Sequence, residues 1–152
     1  MRSVLFVCTA NICRSPMAMG LLQKAVSKEL EEWRISSAGI WAENGYPPAQ
    51  HTLAVLQDRG IDICDCRSRR VTEEMLKSNN LILTMERGQK EALKAAFPEH
   101  ASRIFLLSEM SSNPHDIVDP IGHPLADYEH TAQEVEQIFS KGIKRIRKLA
   151  QG

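Results

Sequence analysis

A cysteine and an arginine, Cys8 and Arg14, stand six positions apart in the stretch Val4-Leu5-Phe6-Val7-Cys8-Thr9-Ala10-Asn11-Ile12-Cys13-Arg14-Ser15-Pro16. A thiolate is a strong nucleophile, and a guanidinium is a planar fork that grips two oxygens of an oxyanion. The residues between them, Thr9 to Cys13, are enough to form a ring of backbone N–H groups the size of a phosphoryl group. Such a ring, set beside a helix N-terminus, attracts negative charge and favours the thiolate form of Cys8. The chemistry these residues could do is nucleophilic attack on a bound phosphoryl group. The spacing alone is a weak signal. Its weight comes from its place, directly after an apolar run and directly before a helical pattern.

Those flanking elements must do the positioning. Val4 to Val7 reads as a strand buried on both faces. Ser15 suits the N-cap and Pro16 the first position of a helix running to about Glu31, with Met17, Leu21, Leu22, Ala25, Val26 and Leu30 on one face. Strands follow at Trp33–Ala38, Leu81–Met85 and Arg103–Leu106. Helices are expected over Gln50–Arg59, after Thr72, over Glu86–Phe97 and over Leu125–Leu149. Ile40–Pro48, Ile61–Arg70 and Leu107–Pro124 read as loops. Apolar strands alternating with helices predict an α/β, three-layer domain, a parallel sheet with helices on both faces. Ligands of such sheets sit beyond the carboxyl ends of the strands, where Cys8 lies.

The chain has 152 residues, as many Lys plus Arg as Asp plus Glu, and four Cys. One domain spanning 1–152 is expected. Zero net charge gives no reason to expect a nucleic-acid partner. The Cys count suits free thiols in a reducing cytoplasm. Met1-Arg2-Ser3 leads straight into the first strand without a signal peptide, and no apolar run is long enough for a membrane span. Cys64-x-Cys66, even with His100 or His123, lacks the second close pair of a structural zinc site, so no metal or other cofactor is expected.

The stretch Val7–Pro16 resembles the signature of the low-molecular-weight protein tyrosine phosphatase family. Ser37-Ala38-Gly39, Gly60-Ile61-Asp62 and Asp119-Pro120 fall where such proteins carry similar segments, so the likeness runs nearly end to end. The resemblance implies a four-stranded sheet in the order 2-1-3-4 and hydrolysis of phosphotyrosine through a phosphocysteine on Cys8. It implies a phosphorylated protein as substrate and inhibition by phosphate-like oxyanions. A phosphocysteine route needs a group that protonates the leaving group and then deprotonates water. Asp119-Pro120 matches the family's acid dipeptide, with Asp116 as second choice and Asp127 assigned to the last helix. Thr9, Ala10, Asn11, Ile12 and Cys13 would line the phosphate. By the same pattern Asn11 holds a left-handed turn, Ser15 donates to the thiolate and Ser37 supports Asn11. Related enzymes with the Cys8/Cys13 pair imply that Cys13 captures oxidised Cys8 as a disulfide. The chain departs from the pattern at Cys66, where the family often has a His, so the partners of Asn11 must differ.

Four alternatives stand beside these readings. Trp41 and Tyr46 either wall the phosphate site or, for Trp41, close the edge of the core. The family also contains protein arginine phosphatases: Ile121-Gly122-His123 after Asp119-Pro120 is nearer to that branch, whereas Ile12 is nearer to the tyrosine branch. A thioredoxin-coupled arsenate reductase shares the Cys-x5-Arg loop, but Cys64 and Cys66 fit poorly as its relay pair. A non-catalytic phosphate-binding module would lack a nucleophile or an acid, and both are present.

Overall fold

The computed structural model describes residues 1–152. In chain order its elements are β1 (Arg2–Cys8), α1 (Arg14–Ala25), β2 (Trp33–Gly39), α2 (Gln50–Gln57), α3 (Glu73–Lys77), β3 (Leu81–Thr84), α4 (Arg87–Ala96), β4 (Ile104–Leu106) and α5 (Leu125–Ala150). Short 3-10 segments occupy Ser27–Glu32, Pro98–Arg103 and Leu107–Met110. The strands are all parallel in the order β2-β1-β3-β4. The order and the two covered faces are as expected.

The apolar run of β1 is explained by burial on both faces. Val4 and Phe6 join the larger core cluster with Met17 and Leu22 of α1 and Val135 and Phe139 of α5; Phe6 meets Phe139 edge-on at 5.9 Å. Leu5 and Val7 point the other way, to Leu76 of α3, Ile82 of β3 and Leu93 of α4. Alternate side chains of one strand thus pin down two helical layers. The register places Cys8 beside Gly39, so the strand ends that carry the loops are held together.

Most boundaries move by one or two residues from the sequence expectation, and α1 differs at both ends. The first helix stops at Ala25 rather than near Glu31, and Glu29 has non-helical angles. Leu30 is exposed, so the apolar stripe ends at Val26. Glu29, Glu31 and Glu32 would also lie at the negative end of the dipole. Secondly, α1 begins at Arg14 with Cys13 at the N-cap, so Ser15 does not cap it. Its hydroxyl is taken up by the loop before the helix. No helix is long and apolar enough to cross a membrane.

Candidate active site

The chain leaves β1 at Cys8, buried with 3% of its surface exposed, and turns through residues 9–13 into α1. Asn11 makes the turn with φ 61°, a left-handed angle that Asn tolerates better than most residues. Its side chain fixes that turn from both ends. Asn11 Nδ2 donates to Ser15 Oγ at 2.8 Å and to Ser37 Oγ at 3.0 Å, and its Oδ1 accepts from the Arg69 N–H at 3.0 Å. Arg69 Nε also donates to the Ser37 carbonyl, so Arg69 of the 61–70 loop braces both residues. That is how Asn11 is supported here; Cys66 takes no part.

Two donors converge on the Cys8 sulfur. The Asn11 N–H lies 3.3 Å away and Ser15 Oγ 2.9 Å away. Ser15 Oγ already accepts from Asn11, so its proton is free to point at the sulfur; the Ala38 carbonyl, at 3.4 Å, is the weaker alternative. The loop packs tightly on the end of β2. A Cβ on Gly39 would come within 2.6 Å of the Thr9 carbonyl oxygen and 3.0 Å of the Asn11 nitrogen. Gly39 is therefore required by the close approach of two backbones, a role beyond ending a strand.

Arg14 is almost fully buried, and its charge is met by three oxygens. Nη1 donates to Glu86 Oε2 and to the Ile117 carbonyl, each at 2.6 Å, and Nη2 lies 3.5 Å from Asp119 Oδ2. Sequence reasoning missed Glu86 and its neighbour Gln89. Gln89 Oε1 accepts from the Met85 and Glu86 N–H groups, while its Nε2 donates to Thr9 Oγ1 at 3.0 Å. The start of α4 is thereby tied to the phosphate loop. The available signal was the capping pair, an N-cap Glu86 with Gln89 three residues on.

The long loop before α5 brings Asp119 and Ile121 to the same narrow well as Cys8, Ile12 and Arg14. Asp119 Oδ1 accepts from the Ile121 N–H at 3.1 Å, leaving Oδ2 toward Arg14. Asp116, the second choice, turns away and accepts from the Arg87 N–H at 2.9 Å; Asp127 accepts from His123 Nδ1 at 2.8 Å. Trp41 is 70% exposed and so does not close the core edge. With Ile12, Glu43, Tyr46 and Pro47 it lines a cleft of about 430 Å³ that opens beside the well, and the Arg70 guanidinium lies 5.8 Å from its ring. A somewhat larger hollow, about 460 Å³ between α1 and α5, is lined by no cysteine.

Cys13 is buried, with Sγ 3.5 Å from Tyr128 Oη, and burial pushes its thiol up to about 11. Cys64 is exposed, and its thiol is raised first by the hydrogen bond with Asp62; Cys66 is raised chiefly by burial. His100 groups with Glu73 and Glu99 as possible metal ligands, a set without Cys64 or Cys66.

A nucleophile in an amide-lined loop, a buried guanidinium and a facing carboxylate, all at the carboxyl end of the central strand, form the layout of a cysteine-dependent phosphatase. The family model described as low molecular weight phosphotyrosine protein phosphatase matches residues 3–151, and the chain belongs to that family. It is 34% identical over 148 residues to a probable low molecular weight protein-tyrosine-phosphatase EpsP of Ralstonia nicotianae, covering 97% of this chain and 98% of that one. A low molecular weight protein tyrosine phosphatase from T. tengcongensis superposes with a TM-score of 0.90 at 38% identity, covering 95% of this chain and 99% of that one. The arginine phosphatase YwlE, in a mutant with a phosphorylated active-site serine, superposes with a TM-score of 0.90 at 28% identity, covering 96% of each.

Proposed function

We propose that the protein is a protein-tyrosine-phosphatase that acts on phosphorylated proteins through a phosphocysteine on Cys8. The observation that carries the reading is Asp119, held toward Arg14 in the well that contains the Cys8 sulfur. The phosphoryl oxygens sit in the ring of loop amides contributed by Thr9 to Cys13, with the Arg14 fork on two of them. Cys8 attacks phosphorus; the S–P bond forms as the P–O bond to the tyrosyl oxygen breaks, and protonated Asp119 gives that oxygen its proton. The Asp119 carboxylate then takes a proton from water, whose oxygen attacks phosphorus and expels the Cys8 thiolate. The Ser15 hydroxyl receives that thiolate with a hydrogen bond. The phosphorylated serine at the YwlE active site supports a covalent intermediate at the nucleophile position.

No step needs a metal, and phosphate-like oxyanions compete for the loop. The chain carries this chemistry as one phosphatase domain and works in the cytoplasm, where its four cysteines stay reduced. Ile12 and Trp41 give a flat phenyl ring two apolar contacts worth about 1–3 kcal/mol each. A phosphoguanidinium would leave donors unpaired against Ile12, at about 1–3 kcal/mol each. A second reading, a protein arginine phosphatase, is favoured by Ile121: where tyrosine enzymes place an aromatic residue after Asp-Pro, this chain puts an aliphatic one at the well.

The test is kcat/KM on matched phosphotyrosine and phosphoarginine peptides, with and without chelator. The expected result is a phosphotyrosine preference of about 10-fold or more that chelator leaves unchanged. Faster cleavage of phosphoarginine would transfer the assignment to the second reading. Loss of turnover with chelator would sink both.

A further inference from the structure

The loop that carries Asp119 is anchored at its root. His115 exchanges two hydrogen bonds with Ser108: its N–H donates to Ser108 Oγ at 2.8 Å, and its carbonyl accepts from the same hydroxyl at 2.6 Å. Arg87 of α4 donates its N–H to Asp116 and its Nη2 to the Pro114 carbonyl. The Ile117 N–H donates to the Met85 carbonyl. These bonds go to Ser108 of the 3-10 turn Leu107–Met110, to Arg87 of α4 and to the Met85 carbonyl just after β3. The tie to the middle of α5 is different in kind: the imidazole of His115 lies between the Asn113 carbonyl, 2.6 Å from Nδ1, and Glu134 Oε2, 2.6 Å from Nε2.

A carbonyl oxygen has no proton to give, nor has an ionised carboxylate. Both ring nitrogens must therefore donate, which only the imidazolium can do. A neutral ring would set a lone pair against an oxygen at 2.6 Å, and one of the two contacts would open. We propose that His115 is a charged latch: as an imidazolium clasped by Asn113 and Glu134 it holds the acid loop on α5 and positions Asp119, and on deprotonation it lets the loop go. It is a positioning residue and touches no substrate. The inference rests on Asp119 being the acid.

The surroundings agree with a retained charge. The Asn113 carbonyl first, then Glu134, raise the His115 pKa above the ordinary histidine range, while partial burial and the Arg87 charge oppose them. Farther along the same face of α5 and its entry, Val118 and Pro120 of the acid loop share a hollow with Glu134, His130, Asp127 and His123, and His123 is paired to Asp127. A group whose folded-state pKa is raised holds its contact below that pKa and loses it as the pH rises through it. The latch is thus closed below the raised His115 pKa and opens as the pH rises through it.

Two readouts on the full chain test this. The first is the His115 ring titration by nuclear magnetic resonance. The second is the pH profile of kcat/KM for phenyl phosphate, whose leaving group needs a proton, against p-nitrophenyl phosphate, whose leaving group needs one less. The His115 ring is expected to deprotonate above the ordinary histidine range, with the phenyl phosphate rate falling over the same interval. His115→Gln should lower phenyl phosphate kcat/KM at pH 6 by about tenfold, a fraction of the ~10²-fold that a one-ångström misplacement can cost. Glu134→Gln, which keeps an acceptor, should shift both the ring titration and the fall in rate to lower pH. In both variants p-nitrophenyl phosphate and vanadate inhibition should change little, and His130→Gln should behave as wild type. A ring that titrates at or below the ordinary range overturns the latch. So does a wild-type profile in both variants, or an equal loss of both substrates and of vanadate binding. Asp119→Ala separates the two levels: if it leaves the phenyl to p-nitrophenyl rate ratio intact, the acid assignment fails, whereas the ring titration judges the His115 clasp by itself.

Discussion

The two loops that meet over the Cys8 sulfur are built in opposite ways. In residues 8–15, Cys8, Asn11, Cys13, Arg14 and Ser15 are all less than 5% exposed. Asn11 and Arg14 among them are held by partners from β2, the 61–70 loop and the N-cap of α4. In the 111–124 loop, Val118 is 72% and Ile121 48% exposed, and between Ile117 and His123 the side chain of Asp119 has few ties beyond its own turn and Arg14. The first loop must present a fixed ring of donors, because electrostatic stabilisation is effective only when its dipoles are already oriented. The second must admit a substrate, protonate its oxygen and then release an alcohol, so it is fastened at its root and loose at its tip. Binding and proton transfer are thereby assigned to separate pieces of chain.

Breaking each piece alone sharpens that division. The largest effect is expected for Cys8→Ser, which should abolish turnover while vanadate or phosphate still binds, measured by calorimetry; residual turnover at the wild-type rate would end the phosphocysteine route. Next is Asp119→Ala, expected to lower kcat/KM for phenyl phosphate by about 10²–10⁴, with a smaller loss for p-nitrophenyl phosphate and little change in oxyanion affinity. A third step strikes the rigid side indirectly. Glu86→Ala leaves Arg14 buried with one carboxylate fewer, and should cost about 10–10² in kcat/KM through weaker phosphate binding. Its stability cost, after allowance for the half-exposed Glu86, should be about 1–3 kcal/mol by denaturant titration.

Smaller effects ask which loop chooses the substrate and which thiol answers oxidation. Ile12→Thr should shift the ratio of phosphotyrosine to phosphoarginine cleavage toward phosphoarginine by about 10-fold. If Ile121→Tyr moves the ratio and Ile12→Thr does not, specificity belongs to the loose loop. Mild peroxide should inactivate through a Cys8–Cys13 disulfide, and Cys13→Ser should reduce the fraction of activity that a thiol restores. Cys13 has its thiol pushed up to about 11 by burial, so near neutral pH it is protonated and is not the thiol that peroxide attacks first. Peptide maps that pair Cys8 with Cys64 or Cys66 would reopen the reductase reading.

The same contrast decides what could be read from the sequence. Cys8, Arg14 and the strand before them were legible because an apolar run, a loop and a helix follow one another within a few residues. Ser37 and Asp119 were reached through family resemblance, since nothing local distinguishes Asp119 from Asp116. What separates them is the direction of a side chain: Asp116 faces Arg87 and Asp119 faces Arg14. Glu86, Arg69 and Gly39 were not legible as site residues. Each acts at a distance in sequence, through a charge, a backbone N–H or the lack of a Cβ, and only the parallel register brings them to the loop. The early end of α1 was missed because Leu30 fits the helical spacing but has no core to face. Ser15 is a good capping residue whose hydroxyl proved more useful to a sulfur.

The Arg14 guanidinium rests on a carbonyl that lies 103 positions later in the chain. While the protein is being made, that partner does not yet exist. The strand carrying the nucleophile emerges first and can pair with β2 and β3 well before the 111–124 loop arrives, in line with the tendency of N-terminal parts to organise first. Through that interval the Asp119 carboxylate and the Ile117 carbonyl are both missing from Arg14, so an incomplete chain can carry the signature with its site still half built. Full activity therefore waits for the 111–124 loop, and its return during refolding would time the docking of that loop on Arg14.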